Sequence, residues 1–320
     1  MTTASVIIAT YNRASLLEEC LQHLARQTFV RGDEVLIADN GSTDHTAAVV
    51  ARFASHFPAP LTRLIEPTPG KSHAVAAAMR VASGTSVALT DDDVNVSREW
   101  LSELRTALVD PGVALAGGPV DPRWQRPAPG WLQLGGHSRL GAPLGLVDYG
   151  PVPAPLGQRT LLGSNMAVRR SVLQQVGGFA THLGKVRGTL LSGEDHELCQ
   201  RIQSAGFAAR YVPTARVRHW VPAERMRLLY FVGWFYWSGI ANAAIEQGEA
   251  AGRPLSRVPA HFVRQFVSGL AGAAVSMVGG RMPAAVDRVL DSAFAAGYAA
   301  GRSGLVALAA DTAPQVARSA

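Results

Sequence analysis

The sequence predicts an α/β fold, a mostly parallel central sheet flanked by helices, continued by a C-terminal helical extension. Three observations predict it. Short apolar runs alternate with amphipathic stretches through the first half of the chain, as they do when parallel strands are joined by crossover helices. Polar and acidic residues stand directly after those runs, at the strand ends where open α/β sheets bind ligands. The chain of 320 residues, 48% of them hydrophobic, is long enough for one large domain or a domain with an appendage.

Residues 6–9 read as the first strand. Over residues 14–26, Leu16, Leu17, Cys20, Leu21 and Leu24 recur at intervals of three and four, which sets one helical face on the sheet. Residues 34–38 form the second strand, 42–53 a helix capped by Ser42, 61–65 the third strand and 86–89 the fourth. Between residues 119 and 159 no period survives; the stretch is rich in Pro and Gly, carries Trp124, Trp131 and His137, and reads as a long loop able to cover a substrate. Regular structure resumes at Leu161, with a helix over 194–205 and short extended segments at 208–212 and 215–220.

Two long uncharged runs follow, residues 228–245 and 265–280, flanked by Arg225, Arg227, Arg264 and Arg281. Each is open to three readings: a buried or oligomer-forming helix, an interfacial membrane helix, or a spanning one. Ser238, Asn242 and two glycines weaken the last of these in the first run. The Trp234-Phe235-Tyr236-Trp237 cluster leaves the same choice among core, partner protomer and bilayer interface. A formal net charge of +6 fits an anionic substrate, an anionic membrane face or simply a high Arg content. Cys20 and Cys199 are too few for a disulfide framework and point to a reducing compartment. The opening MTTASVIIATYNR lacks the basic and apolar regions of a signal peptide, so the expected location is cytoplasmic, peripheral to the membrane if the C-terminal helices touch lipid.

Leu89-Thr90-Asp91-Asp92-Asp93 puts adjacent carboxylates at the end of an apolar strand, ahead of a helix expected to begin near Ser97. Like charges repel, and a hard divalent cation shared with phosphate oxygens and water would stabilise them. Solvated aspartates ahead of a helix N-terminus are the ordinary alternative. Glu194 and Asp195, after Gly193, open a helix; a carboxylate there either serves as general base toward a hydroxyl or is a common acidic first turn. His219 closes the segment 216–220, where a neutral imidazole either joins Asp93 on the cation or simply packs. Gly70-Lys71-Ser72 has the ending of a phosphate-cradling loop, but the first glycine of that motif would fall at Ile65, which excludes it. Lys71 is left facing a phosphate or solvent.

Taken in order, Ser5-Val6-Ile7-Ile8-Ala9-Thr10-Tyr11-Asn12-Arg13, Ile37-Ala38-Asp39-Asn40-Gly41-Ser42-Thr43-Asp44, the Asp91-Asp92-Asp93 cluster, Gly163-Ser164-Asn165-Met166-Ala167 and Gly193-Glu194-Asp195 resemble family 2 glycosyltransferases of the GT-A fold. Each motif alone is weak; together, in the family's order across residues 4–222, they are specific. The resemblance implies a nucleotide-sugar-binding and catalytic domain over 1–222, with 223–320 serving acceptor, oligomer or membrane association. It implies Thr10, Tyr11 and Arg13 as nucleotide contacts and Asp39 as the carboxylate that reads a uracil-type N–H. Asp91 and Asp92 would approach the ribose and sugar, Asp93 with His219 would hold Mn²⁺ or Mg²⁺, and Asp195 of the Glu194-Asp195 pair would be the base. Lys71 would meet the donor phosphates, and Gly163, Ser164, Asn165 and Trp220 fall in the substrate region, the first three with a turn-forming role as the alternative.

The implied reaction moves a sugar from a nucleotide diphosphate donor, UDP-linked by preference, to an acceptor hydroxyl with inversion, in polysaccharide, glycolipid or natural-product glycoside synthesis. An ordinary aspartate, with a pKa of about 4, leaves Asp195 ionised at neutral pH. With neither a Gln-x-x-Arg-Trp run nor several spanning helices in the sequence, single transfer is favoured over processive synthesis. Two other classes compete. A sugar-phosphate nucleotidyltransferase would release pyrophosphate and usually begins with a Gly-rich basic loop that residues 10–13 do not supply. A non-catalytic, membrane-associated glycan-assembly subunit would have no need of the intact acidic positions. Nucleic acid is not an expected partner.

Overall fold

The structure, a computed structural model, describes residues 2–134, 139–181, 183–184, 189–249 and 258–303, so that His137 lies outside the described residues. Strand β1 (Ala4–Thr10) is buried on both faces, its side chains alternating between them: Val6 and Ile8 enter the core on one face of the sheet and Ile7 the core on the other. The chain continues through α1 (Ala14–Leu24), β2 (Glu34–Asp39), α2 (Thr46–Ala54), β3 (Leu61–Ile65), α3 (Lys71–Val81) and β4 (Ser86–Asp91). These four strands are parallel and lie in the order β3-β2-β1-β4, with Thr10 level with Asp39 and Ala9 level with Asp91. The polar residues that end β1, β2 and β4 therefore share one edge.

Next come β5 (Val94–Val96), α4 (Trp100–Ala107), β6 (Val113–Gly117), β7 (Val120–Trp124), a 3-10 turn at Arg139–Leu144 and β8 (Ala154–Pro155). β9 (Asn165–Arg169), α5 (Arg170–Val176), α6 (Glu194–Ser204), β10 (Ala208–Tyr211) and β11 (Val217–Val221) complete the α/β part. The main sheet has the order β3-β2-β1-β4-β9-β6-β10-β8, and β5-β11-β7 form a second, small sheet. β9 runs antiparallel to both of its neighbours and pairs Asn165 with Thr90. That reversal delivers Gly163 and Ser164, just ahead of β9, to the edge where β4 ends.

Three expectations are corrected. The helix expected from Ser42 begins at Thr46, because the Ser42 N–H donates to Asp39 Oδ1 and its hydroxyl accepts the Asn12 N–H; Asp44 Oδ1 accepts the Thr46 N–H instead. The helix expected near Ser97 is preceded by β5 and begins at Trp100, since Val94 and Val96 pair with β11. The stretch read as one long loop contains β7, the 3-10 turn and β8; its strands are short and gain their partners from β11 and β10 far along the chain, so no local period marks them.

Beyond β11 the chain forms α7 (Leu228–Glu249), α8 (Ala260–Val278) and α9 (Met282–Arg302). α7 and α9 approach closely through glycine: a Cβ on Gly297 would stand 1.8 Å from the Tyr236 carbonyl oxygen, and one on Gly239 2.2 Å from that of Phe294. Phe231 of α7 is fully buried against Trp131, ring centroids 5.1 Å apart, and joins the core on the α1 side of the sheet. Among the described residues α7 alone is long and apolar enough to cross a membrane, and 33% of that window is buried within the chain.

Candidate active site

The acidic cluster after β4 is separated into individually partnered carboxylates. Asp91 pairs with Lys71 Nζ at 2.6 Å, from the first turn of α3. Asp92 accepts from Thr10 Oγ1 at 2.8 Å and from Arg13 Nη1 at 3.0 Å, while the same guanidinium nitrogen reaches Asp93 Oδ2 at 2.7 Å. Burial, and then the Asp93 charge, push the Asp92 carboxyl up to about 7 against the pull of Arg13 and Thr10. Burial also works against ionisation of Asp93, but His219, Arg13 and Arg225 outweigh it and hold that carboxyl well below the usual range. Much of the repulsion expected from three neighbouring charges is thus relieved by Lys71 and Arg13.

Two buried atoms at this cluster have no hydrogen-bond partner, Asp93 Oδ1 and His219 Nδ1. β11 brings His219 level with Val94, and the Trp220 N–H donates to the Asp93 carbonyl at 2.9 Å, so the imidazole Nε2 stands 3.4 Å from Asp93 Oδ1. Two ligands of one six-coordinate cation, each at about 2.1 Å, lie about 3 Å apart when adjacent, so this spacing fits a shared divalent ion. Among the described residues no group of three His, Cys, Asp or Glu side chains gathers to hold a metal. A cation with two protein ligands, completed by substrate phosphates and water, is the usual arrangement for Mg²⁺ at phosphate sites, and the residues present fit it.

Gly193, at φ +125°, turns the chain into α6 and leaves Glu194 and Asp195 in its first turn. Glu194 Oε2 accepts the Gly193 N–H, whereas Asp195 Oδ1 is buried without a partner. Burial first, and the charge of Glu194 second, push the Asp195 carboxyl up to about 7; Lys71 and the Gly163 N–H oppose them. The ordinary value expected from the sequence is therefore corrected upward. Lys71 moves the other way: burial disfavours its ammonium, but Asp91, Asp195 and Glu194 hold it firmly protonated. Gly163 has no room for a side chain, since a Cβ there would come within 2.6 Å of Asp195 Oδ1.

Two cavities meet at these residues. A cleft of about 350 Å³ lies over the strand ends and is lined by Thr10, Tyr11, Arg13, Lys71, Asp91, Asp92, Asp93 and His219, together with Asn40, Thr189 and Arg225. A second, of about 440 Å³, is lined by Ser164, Glu194, Asp195, Tyr149, Thr160 and His196, by the chain after the 3-10 turn, and by one face of α7. Lys71, Asp91 and His219 line both.

Three sequence-predicted residues lie elsewhere. Asp39 is fully buried, with Oδ1 on the Ser42 N–H and Oδ2 on the Arg63 guanidinium, and lines neither cavity. Asn165, expected to contact substrate, is buried and ties segments of the fold together: its amide donates to the Pro119 and Ala215 carbonyls, and its Oδ1 accepts from Trp100 Nε1. Trp220 lies under the Arg123 guanidinium, 4.7 Å from its ring centre, and lines neither cavity. The reading of the sequence missed the face of α7 formed by Trp234, Ser238, Ala241, Asn242 and Ile245. Its signal was present: polar residues four apart, Ser238 and Asn242, on one face of an otherwise apolar run.

The description "Glycosyl transferase family 2" matches residues 5–177. Among curated proteins, glycosyltransferase AglE of Haloferax volcanii is 27% identical over 65% of this chain and 63% of its own length. The succinoglycan biosynthesis protein ExoM of Rhizobium meliloti is 28% identical over 81% of this chain and 76% of its own. This chain therefore spans less than two thirds of the Haloferax protein. The mannosyltransferase PcManGT of Pyrobaculum calidifontis, solved in complex with GDP-Man and Mn²⁺, superimposes with a TM-score of 0.54 at 23% identity, covering 89% of this chain and 85% of that one, which shows a common GT-A fold.

Proposed function

The chain belongs to glycosyl transferase family 2 and is a glycosyltransferase, and from that premise we propose that it transfers a single sugar, with inversion, from a nucleotide diphosphate donor in the cleft over the strand ends to an acceptor hydroxyl in the adjoining pocket. One observation carries the reading: Asp195, a carboxylate pushed up to about 7 with a buried, unpartnered oxygen, opens onto the pocket that adjoins that cleft. A base whose pKa matches the working pH accepts a proton most effectively during attack.

In this mechanism Asp195 takes the hydroxyl proton as the acceptor oxygen attacks the anomeric carbon, and displacement assisted by a single base inverts that centre. Glu194 keeps the Asp195 pKa high; Lys71 limits the rise and presents its ammonium to the donor diphosphate. Thr10, Tyr11 and Arg13 bind the nucleotide side, and Gly163 and Ser164 leave room for the reacting sugar. Asp93 and His219 would hold Mn²⁺ or Mg²⁺, which when bound offsets charge on the departing diphosphate. A UDP-sugar is the favoured donor, with a GDP-sugar, as in the Pyrobaculum calidifontis mannosyltransferase complex, the first competitor. Residues 1–222 would supply donor and base, and the helices after them the acceptor wall, with a glycan, lipid-linked sugar or small molecule as the acceptor on the cytoplasmic side.

Thermal stability against a panel of nucleotide diphosphate sugars, with and without Mn²⁺, tests the donor site. Metal-dependent stabilisation by one donor is expected, kept in Asp195→Asn while release of nucleotide diphosphate is lost. Release of pyrophosphate from a nucleoside triphosphate and a sugar phosphate would move the protein to nucleotidyl transfer, and a product retaining the donor's anomeric configuration would overturn inversion.

A further inference from the structure

Helix α8 packs inside out. Apart from Phe262, which stacks on Tyr298 at its start, the residues it turns toward α9 are small: Gly269 and Ala273 are buried, and a Cβ on Gly269 would stand 2.2 Å from Ser292 Oγ. The other large apolar side chains are turned outward, with Val267 60% exposed, Val275 73% and Val278 91%, and Phe266 and Leu270 beside them. A soluble helix ordinarily does the reverse, so this face is built to meet something apolar.

Charge selects what that is. No acidic residue occurs from Val258 to Met282, while Arg264 and Arg281 are exposed there and make no ion pair among the described residues. The acids on α9, Asp287 and Asp291, are already engaged by Arg139. A second copy docked face to face would find no carboxylate on the matching helix for its arginines. Anionic head groups would pair with them while the apolar side chains enter the acyl boundary. α8 does not reach the length and apolarity of a spanning helix, which leaves it in the plane of the interface.

We propose that the outer face of α8 is a docking surface for an anionic lipid bilayer. The assignment is independent of the donor and acceptor chemistry. The full chain, purified without detergent, is mixed with vesicles of phosphatidylcholine alone or with added phosphatidylglycerol, and the bound fraction is measured by flotation.

Binding is expected to be at least about tenfold stronger on the anionic vesicles, to weaken as salt rises, and to fall by at least about tenfold in Val267→Glu/Leu270→Glu and in Arg264→Glu/Arg281→Glu. All of these positions are exposed, and an unchanged melting temperature shows that each variant is folded. A wild-type chain that stays in solution with both vesicle types overturns the proposal. So does a dimer by light scattering that Val267→Glu/Leu270→Glu converts to monomer, because the face is then covered by a second copy. Stabilisation by donor and Mn²⁺, read without vesicles, reports the transfer site separately.

Discussion

The position of the acid limb in the pH–rate profile tests the proposed base most directly. With Asp195 pushed up to about 7, kcat/KM for the acceptor, at saturating donor and Mn²⁺, should fall about tenfold for each pH unit below 7. An ordinary aspartate would leave the rate flat down to about pH 5. Two substitutions separate Asp195 from any other group that titrates nearby. A unit charge at a separation of order 5 Å, in an effective dielectric near 20, is worth about 3 kcal/mol, and solvent screening reduces this to roughly one to two pK units. Lys71→Met removes a neighbour that lowers the Asp195 pKa, so the limb should move up by about that amount; Glu194→Gln removes one that raises it, so the limb should move down. Lys71 also holds Asp91, so the readout is the position of the limb, not its height. The same shift has a sign in stability. A carboxyl raised in the folded state favours folding fully below its unfolded pKa and loses that contribution as pH rises from about 4 to 7, so Asp195→Asn should stabilise the protein by about 4 kcal/mol at pH 8 and by only about 1–2 kcal/mol at pH 5. A flat profile between pH 5 and 8, or movement of both limbs in one direction, would refute the assignment.

The cation reading predicts that His219→Ala and Asp93→Asn each weaken Mn²⁺-dependent stabilisation by nucleotide diphosphate at least about tenfold, measured by metal titration, whereas a merely packed His219 would change melting without changing that titration. Gly163→Ala places a methyl group within 2.6 Å of Asp195 Oδ1 and should lower kcat about a hundredfold with donor affinity kept; unchanged turnover would remove Gly163 from the site. Asn165→Ala leaves the Pro119 and Ala215 carbonyls and the Trp100 indole N–H without their partner, so urea unfolding should show a loss of about 2–4 kcal/mol; a raised KM at full stability would return Asn165 to a substrate role.

What could be read from the sequence was what is local. Leu17, Cys20, Leu21 and Leu24 declare the buried face of α1 within a few residues, and each parallel strand announces its own end by the polar residue that follows it. The reversed strand β9 and the small sheet were not legible, because β11 takes β7 and β5 as partners from distant parts of the chain. The same distinction runs through the site. Asp93, Asp195 and Gly163 stand out as motifs, but Lys71 on Asp91 and Arg13 across Asp92 and Asp93 are pairings between separate elements. Asn165 shows the converse: its motif is local, and the three groups that occupy its amide come from three other segments.

The two cavities also differ in what holds their walls. The donor cleft is framed by the ends of β1 and β4 and the start of α3, elements that pack directly on one another, so a change there disturbs the core. The far wall of the acceptor pocket comes from α7 and the chain around Leu146, which follows the 3-10 turn that Arg139 ties to Asp287 and Asp291 of α9. Substitutions on the inner face of α7, at Trp234, Ser238 or Asn242, reshape that wall without touching a strand. In the proposed reaction the donor would thus be held at the strand ends and the base at the start of α6, whereas acceptor selection would rest on a helical arm that can vary while the reaction centre stays in place.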